Sequence, residues 1–199
     1  MLPDCRGDLP GNENYGSDAM IKKILIALVV LIAAFAGYVA MQPDDLLIQR
    51  QATITAAPGA VFEQVNDLKK WDAWSPWAKM DPNAKINFEG PAAGKDAAFT
   101  WSGNDQIGEG RMTIVESRPA DLVDIKVDFT KPFENTSTSK FEFKPEANQT
   151  QVTWSMGGKQ NFIEKAMCIV FNGKKMIGDE MEKGLSNLKT VAEKSAPAP

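Results

Sequence analysis

The stretch DLVDIKVDFTK, Asp121–Lys131, indicates the fold class of this chain because its apolar and charged residues alternate strictly. One face of an extended segment carries the apolar side chains Val123, Ile125, Val127 and Phe129. The other face carries the charged residues between them. A strand with one apolar and one polar face is typical of an antiparallel sheet that is wet on one side.

Shorter segments on both sides of this stretch repeat the alternation and predict the rest of the sheet. A first strand is expected at residues 46–55, and the others are expected near 86–88, 99–101, 107–117, 140–144 and 151–156. Turn-forming residues separate these segments. The sequence therefore predicts about seven strands, of which six follow one another without an intervening helix.

Helical patterns occur at two places in the predicted domain. After the first strand, Pro58 suits the first turn of a helix over 58–66, and a second short helix starts near Asp67 and ends at Pro76. A longer helical period starts near Asn161 and runs to Ala192, with a break or a kink at Gly173. We expect the long C-terminal helix to lie across the apolar face of the sheet, because that face must be covered. A gap between the two is where a ligand can bind.

The N-terminal part of the chain contains the uncharged apolar run Ile24–Met41, preceded by two lysines. The run is long enough to cross a bilayer as a helix, so residues 20–43 are predicted to be either a transmembrane anchor or a cleaved signal sequence. Residues 1–19 are interpreted as a disordered or mis-called leader, and residues 195–199 as a disordered tail. For an anchor, the basic flank stays in the cytoplasm and the domain over 44–194 faces outward, which in a bacterium is the periplasmic side. For a cleaved signal, the domain is periplasmic or secreted.

Composition excludes several classes of protein. A net charge of −4 argues against binding to the nucleic-acid backbone. The absence of histidine removes the commonest general base and the commonest transition-metal ligand, and we expect no metal and no cofactor. Neither tyrosine lies in the domain, and the two cysteines cannot form a disulfide framework.

Several motifs of the domain, taken in order, resemble a known family. They are Ala56–Phe62, Asn66–Trp71, Trp74–Trp77, Gly108–Met112, Thr153–Met156 and Glu182–Lys189. The chain is similar over residues 46–192 to the polyketide cyclase/dehydrase-like branch of the START-domain (SRPBCC, helix-grip) superfamily. The resemblance implies an α+β helix-grip fold around an apolar cavity for lipids, sterols or polyketides, and it includes membrane-anchored bacterial members. Some members are cyclases or dehydratases, but no catalytic motif can be carried over to residues of this chain.

The candidate site follows from the inward-facing side chains of the predicted elements. The expected cavity lining comprises Trp74, Trp77, Phe99, Trp101, Met112, Val127, Phe129, Phe141, Trp154, Met167 and Met181. The alternative is that these side chains fill a solid core. Polar residues expected at the cavity rim are Glu109, Arg111 and Lys131, with Glu109 turned inward by a bulge between two glycines. The alternative for the rim residues is a solvated surface.

Three hypotheses for the function follow. The first is a membrane-tethered domain that binds a small hydrophobic or amphipathic, lipid-like ligand between sheet and C-terminal helix. The second is an enzyme of cyclase or dehydratase type, for which the absence of histidine and of a domain tyrosine is unfavourable. The third is an interaction protein without a ligand, which binds a partner at the tryptophan cluster or at an edge strand. The sequence gives no oligomeric state.

Overall fold

The structure, a computed structural model, describes residues 15–195 of the chain, which divides into two units, Met1–Gln42 and Pro43–Pro199. In the first unit, helix α1 extends over Tyr15–Ala40, so it begins within the predicted leader; residues 1–14 lie outside the described residues. Its segment Ala19–Ala40 has a mean hydropathy of 2.4 and is long and apolar enough to cross a membrane. An N-terminal signal sequence has the same properties, so this finding is only weak support for an anchor.

The second unit contains one antiparallel sheet with the strand order β1-β7-β6-β5-β4-β3-β2. The strands are β1 Asp45–Ile54, β2 Lys85–Glu89, β3 Ala98–Ser102, β4 Glu109–Arg118, β5 Leu122–Lys131, β6 Asn135–Glu146 and β7 Gln149–Lys159. In β5, the alternating residues Val123, Ile125 and Val127 are fully buried, as predicted. All seven predicted strands are present.

Two short helices follow β1, as the sequence predicts. Helix α2 covers Pro58–Asn66, with the proline in its first turn and its apolar side buried. Asp67 then accepts a hydrogen bond from the backbone N–H of Lys69 at 3.0 Å and caps a 3₁₀ turn, which leads into α3, Trp71–Trp74. The chain leaves α3 in an extended conformation immediately before Pro76, which disfavours helix at the preceding residue.

The C-terminal helical region is divided into α4, Phe162–Val170, and α5, Gly173–Ser195. The predicted break is confirmed, and Asn172 at the junction has a positive φ of 52°. Helix α5 packs on β1, α2 and α3, and its buried positions are Gly178, Met181, Gly184, Leu185, Leu188 and Ala192. The α+β architecture with a long C-terminal helix over the sheet is therefore confirmed. Of the predicted tail, Ser195 ends α5 and residues 196–199 lie outside the described residues.

Helix α4 departs from the sequence prediction in its orientation. Its apolar residues Ile163, Met167 and Val170 form one face, and the amphipathic pattern predicted that this face would be buried. Instead it is exposed, with 65%, 45% and 62% of the three side chains accessible. The buried residue of this helix is Lys165. The physical reason is a set of polar contacts on the inner side of α4, which are described below.

The core between sheet and α5 is built around aromatic rings. Trp154 of β7 stacks on Phe141 of β6 at a centroid distance of 4.7 Å, and Trp74 of α3 meets both rings edge-on at 5.9 Å. The buried indole N–H of Trp74 donates to the carbonyl oxygen of Gln64 at 3.0 Å. Trp74 is therefore a satisfied core residue, and its packing fixes α3 against the sheet.

Candidate functional site

A cavity of about 430 Å³ lies beside this aromatic core, between the inner face of the sheet and the helical segments. Strands β1 to β7 all contribute to its wall, together with the segment from Leu68 to Ala78, Glu164 of α4 and Ile177 of α5. The core therefore fills only part of the space under the sheet. The residues that the sequence predicts as cavity lining are divided between the filled part and the open part.

Seven of the predicted lining residues do border the cavity. They are Trp77, Phe99, Trp101, Met112, Val127, Phe129 and Trp154. The sheet brings Phe99, Met112 and Val127 together because they are cross-strand partners on β3, β4 and β5. Their alternate-residue spacing places all of them on the inner face. The alternation in the sequence therefore predicted the face of the sheet on which these residues lie, whereas their role in binding a ligand stays a prediction.

Four predicted lining residues lie elsewhere. Trp74, Phe141 and Met181 are fully buried and are not among the residues that border the cavity. Met167 lies on the outer face of α4 and is 45% exposed. The sequence pattern gave the correct inward direction for the first three residues, but it did not show which part of the interior is filled.

The three predicted rim residues also lie outside the cavity. Glu109 and Arg111 border a second depression of about 380 Å³, on the opposite face of the sheet from Met112. The register shift predicted next to Glu109 is present, but the side chain does not border the cavity. Its carboxylate accepts hydrogen bonds from Lys131 Nζ at 2.9 Å and from Ser102 Oγ at 3.0 Å.

These contacts determine the ionisation of Glu109. The hydrogen bond from Lys131, with a smaller contribution from Ser102, lowers the pKa of this carboxyl below its ordinary value. A lowered pKa makes Glu109 a weaker base and keeps it ionised near neutral pH. Its position and its pKa both argue against the acid–base role that the enzyme hypothesis would assign to it.

The structure adds polar residues that the sequence analysis missed. Ser137 and Ser139 of β6 border the cavity, as do Asn135 and Glu164, and Asn135 Nδ2 donates to Glu164 Oε1. Ser139 Oγ accepts a hydrogen bond from the indole N–H of Trp154 at 2.9 Å. The signal was present in the sequence, because the two serines lie two and four residues before Phe141 and therefore share its inward face.

Trp101 shapes the end of the cavity near the short strands. Its indole N–H donates to the carbonyl oxygen of Ile107 at 2.9 Å, and its ring meets Phe129 edge-on at 5.5 Å. The ring lies across Gly110, its cross-strand partner on β4. A Cβ atom at Gly110 would lie 2.5 Å from the ring, so only glycine permits this placement.

Several apolar side chains of the wall are also open to solvent. Ile86 and Phe88 of β2 are 47% and 44% exposed, and Phe133, in the turn between β5 and β6, is 61% exposed. They mark the sides from which the cavity is accessible. Among residues 15–195, no three or more His, Cys, Asp or Glu side chains gather in a way that could hold a metal ion.

The sheet, the C-terminal helix laid over it and the apolar cavity between them define a helix-grip domain of the SRPBCC, Bet v 1-like class. The chain belongs to the family described as "Polyketide cyclase / dehydrase and lipid transport", whose sequence pattern matches residues 46–193. Membership of this family implies a cavity for a hydrophobic ligand. The resemblance predicted from the short motifs is confirmed at the level of the family.

Solved structures of similar fold share little sequence with this chain. TTHA0849 from Thermus thermophilus has a TM-score of 0.55 at 13% identity, over 76% of this chain and 100% of that chain. The Aha1 dimer from Colwellia psychrerythraea has a TM-score of 0.54 at 14% identity, over 74% of this chain and 96% of that chain. Ara h 8.0201 has a TM-score of 0.53 at 9% identity, over 76% of this chain and 99% of that chain. At these identities the likeness shows the fold alone. A search of the curated proteins found no sequence match.

Proposed function

We propose that the domain binds a small hydrophobic or amphipathic molecule in the cavity between the sheet and the C-terminal helices. The observation that carries this proposal is the cavity itself. It is about 430 Å³ in volume, and its wall is formed largely by aromatic and aliphatic side chains, with polar residues from β6. Ligand pockets in proteins are typically about 300–1,000 Å³, mostly apolar, with a few polar groups that fix orientation.

The polar residues of the wall would determine how the proposed ligand is oriented in the cavity. Asn135, Ser137 and Glu164 lie together where β6 faces α4, whereas Phe99, Trp101 and Phe129 belong to the apolar region built by β3 to β5. An amphipathic molecule would place its apolar part among the aromatic rings. Its polar group would lie near the β6–α4 side, where amide and hydroxyl groups are available as hydrogen-bond partners.

We also propose that α1 tethers this domain to a membrane. The apolar segment Ala19–Ala40 has the length that a bilayer core of about 30 Å requires. Lys22 and Lys23 lie at its N-terminal end and Asp44 and Asp45 follow it, which favours an orientation with the domain outside the cytoplasm. A cleaved signal sequence would deliver the same domain to the same side without the tether.

A cavity-filling substitution tests the ligand proposal. Ser137→Trp places an indole ring at the wall of the cavity without removing any core side chain. Thr138→Trp, at the next residue of the same strand, places the same ring on the opposite face of the sheet, where Thr138 is exposed. Both variants keep α1, so lipid or detergent bound to that helix is the same in both proteins.

Native mass spectrometry of the purified full-length chain measures the result. We expect bound molecules of lipid-like mass on the parent and on Thr138→Trp, and at least a tenfold lower occupancy on Ser137→Trp. Circular dichroism should show that both variants keep the parent's secondary structure. If Ser137→Trp carries as much ligand as Thr138→Trp, or the parent carries none beyond molecules bound to α1, the proposal is wrong.

A further inference from the structure

The outer face of α4 is an exposed apolar surface. The side chains on this face are Phe162, Ile163, Met167, Val170 and Phe171, which are between 45% and 65% exposed. Ile163, Met167 and Val170 recur at spacings of four and three, so they form one stripe, and Phe162 and Phe171 lie beside it at the two ends of the helix. Phe133, in the turn before β6, is 61% exposed. Single exposed apolar residues are normal, whereas a continuous apolar stripe rimmed by polar residues marks a contact surface.

Polar contacts on the inner side hold α4 in this orientation. Lys165, whose side chain is only 8% exposed, donates to Asp44 Oδ1 at 2.8 Å, and this contact lowers the pKa of the Asp44 carboxyl. Glu164 accepts hydrogen bonds from Asn135 Nδ2 and from the backbone N–H of Asn161. Rotating α4 to bury its apolar stripe would break these contacts. The outward apolar face is therefore a feature of the folded domain and not the result of a frayed end.

We infer that this face of α4 docks on a lipid bilayer, with its apolar side chains in the interfacial region. The first argument is charge. Lys159 precedes the helix, Lys174 and Lys175 follow it, and all three are exposed. An apolar helical face flanked by lysines is typical of helices that lie in the plane of an anionic membrane surface.

The second argument is the covalent link to α1, and this step alone rests on the proposed membrane anchor. Asp44, the partner of Lys165 on α4, follows Ala40, the last residue of α1, by four residues. Four peptide units span at most about 15 Å. If α1 ends at the bilayer surface, α4 must lie close to that surface. A soluble partner protein would gain no such proximity from the anchor. A second copy of the chain would carry the same anchor, and cross-linking in the test below distinguishes it from the bilayer.

Docking would also bring part of the cavity close to the lipid. Glu164, on the inner side of α4, and Phe133 both border the cavity. A ligand taken from the membrane would then have a short path to the binding site. This consequence rests on the proposed ligand binding, whereas the docking of α4 does not.

Depth-dependent quenching on the full-length chain tests the docking. Cys5→Ser and Cys168→Ala remove the native thiols, and Met167→Cys carries a fluorescent NBD label on the apolar face. The protein is reconstituted in vesicles of phosphatidylcholine and phosphatidylglycerol, with and without doxyl-labelled lipid. The matched control carries the same label at Val115→Cys, an exposed apolar position of β4 that does not belong to this face. We expect severalfold stronger quenching at position 167 than at position 115.

Two further variants separate insertion from mere proximity. Ile163→Glu with Val170→Glu should reduce the quenching at position 167 to the level of the control, because carboxylates do not enter the apolar interface. Lys159→Glu with Lys174→Glu should reduce it in vesicles that contain phosphatidylglycerol. Equal quenching at 167 and 115 would overturn the docking, as would unchanged quenching in the Ile163→Glu, Val170→Glu variant.

The remaining outcomes identify other occupants or a failed anchor. A second copy of the chain would shield the label at position 167 from water, but doxyl-labelled lipid would not quench it. If two chains also cross-link through α4, the face belongs to a second copy and the proposal is overturned. A chain that extracts from the vesicles in alkaline buffer lacks the anchor, and the same quenching measurement on the vesicle-bound fraction still decides the role of α4. Ligand occupancy, measured separately by mass spectrometry, is independent of both results.

Discussion

Replacing Gly184 by alanine tests how closely α5 must approach the sheet. A Cβ atom at this position would lie 2.7 Å from Cζ3 of Trp154 and 3.1 Å from Cδ of Pro76. The indole ring of Trp154 has little freedom to move, because it stacks on Phe141 and meets Trp74 and a further tryptophan edge-on. The added methyl group therefore requires α5 or the indole to shift.

Two free-energy terms of opposite sign determine the stability of Gly184→Ala. Alanine is favoured over glycine inside a helix by about 1 kcal/mol. Adding a methyl group to a filled core costs about 1–3 kcal/mol. We expect the second term to exceed the first, because the neighbouring atoms belong to two rigid rings. The free energy of unfolding should fall by up to about 2 kcal/mol, which corresponds to a decrease in Tm of up to about 8 °C.

Gly178→Ala is the matched control on the same helix. An added Cβ there would meet the guanidinium of Arg50, which is the end of a flexible side chain. Moving it weakens the ion pair with Glu182, in which both side chains are largely or partly exposed. Such a pair is worth about 0.2–1 kcal/mol, so the helix propensity of alanine should offset the loss. We expect Gly178→Ala to be close to the parent in stability.

Urea unfolding in mild detergent, followed by tryptophan fluorescence, measures both variants. All five tryptophans lie in the domain, so the signal reports its unfolding and not that of α1. A Gly184→Ala variant as stable as the parent, or the same change in both variants, would contradict the expected steric conflict. It would show that α5 can move away from Trp154 at little cost.

Two further predictions concern single hydrogen bonds. Ser139→Ala leaves the buried indole N–H of Trp154 without its acceptor and should lower the free energy of unfolding by about 1–3 kcal/mol in a urea titration. Ser155→Ala, on the same strand as Trp154, should have little effect, and equal effects would show that the bond contributes nothing. Glu193 accepts a hydrogen bond from the backbone N–H of Thr55 at 2.8 Å, and this bond lowers the pKa of its carboxyl. Its stabilising contribution is therefore complete above the unfolded-state pKa of about 4.3 and is lost as the pH falls through the lower folded-state pKa. Glu193→Gln should reduce the loss of stability below about pH 4 in urea titrations across pH, and an unchanged acid slope would contradict the assignment.

Elements with a strong local signal were predicted close to their observed bounds. Helix α2 begins at Pro58 and ends at Asn66, because proline position and apolar spacing are both local properties of the chain. Strand β5 has its inward residues where the alternation placed them, since strand geometry fixes the direction of every second side chain. The inner face of the sheet, including Phe99, Met112 and Val127, followed from the same rule.

Local sequence patterns did not predict which part of the interior is filled by side chains and which part is empty. Phe141 and Phe129 both point inward from neighbouring strands, yet one is stacked in the core and the other borders the cavity. The difference is made by Trp74 of α3, which packs against Phe141 and not against Phe129. A contact between residues far apart in sequence leaves no trace in the spacing of either segment.

Local patterns along the chain were sufficient to predict an α+β protein with a sheet of alternating strands and a covering C-terminal helix, because side-chain direction follows backbone period. They were also sufficient to recognise the apolar N-terminal segment. The direction in which α4 faces, by contrast, depends on long-range contacts. The ion pair between Asp44 and Lys165 joins residues 121 positions apart and turns the apolar side of this helix to the outside. Amphipathic spacing determines which residues of a helix share its apolar face. Whether that apolar face points inward or outward is determined by the contacts that the opposite, polar face makes with the rest of the fold.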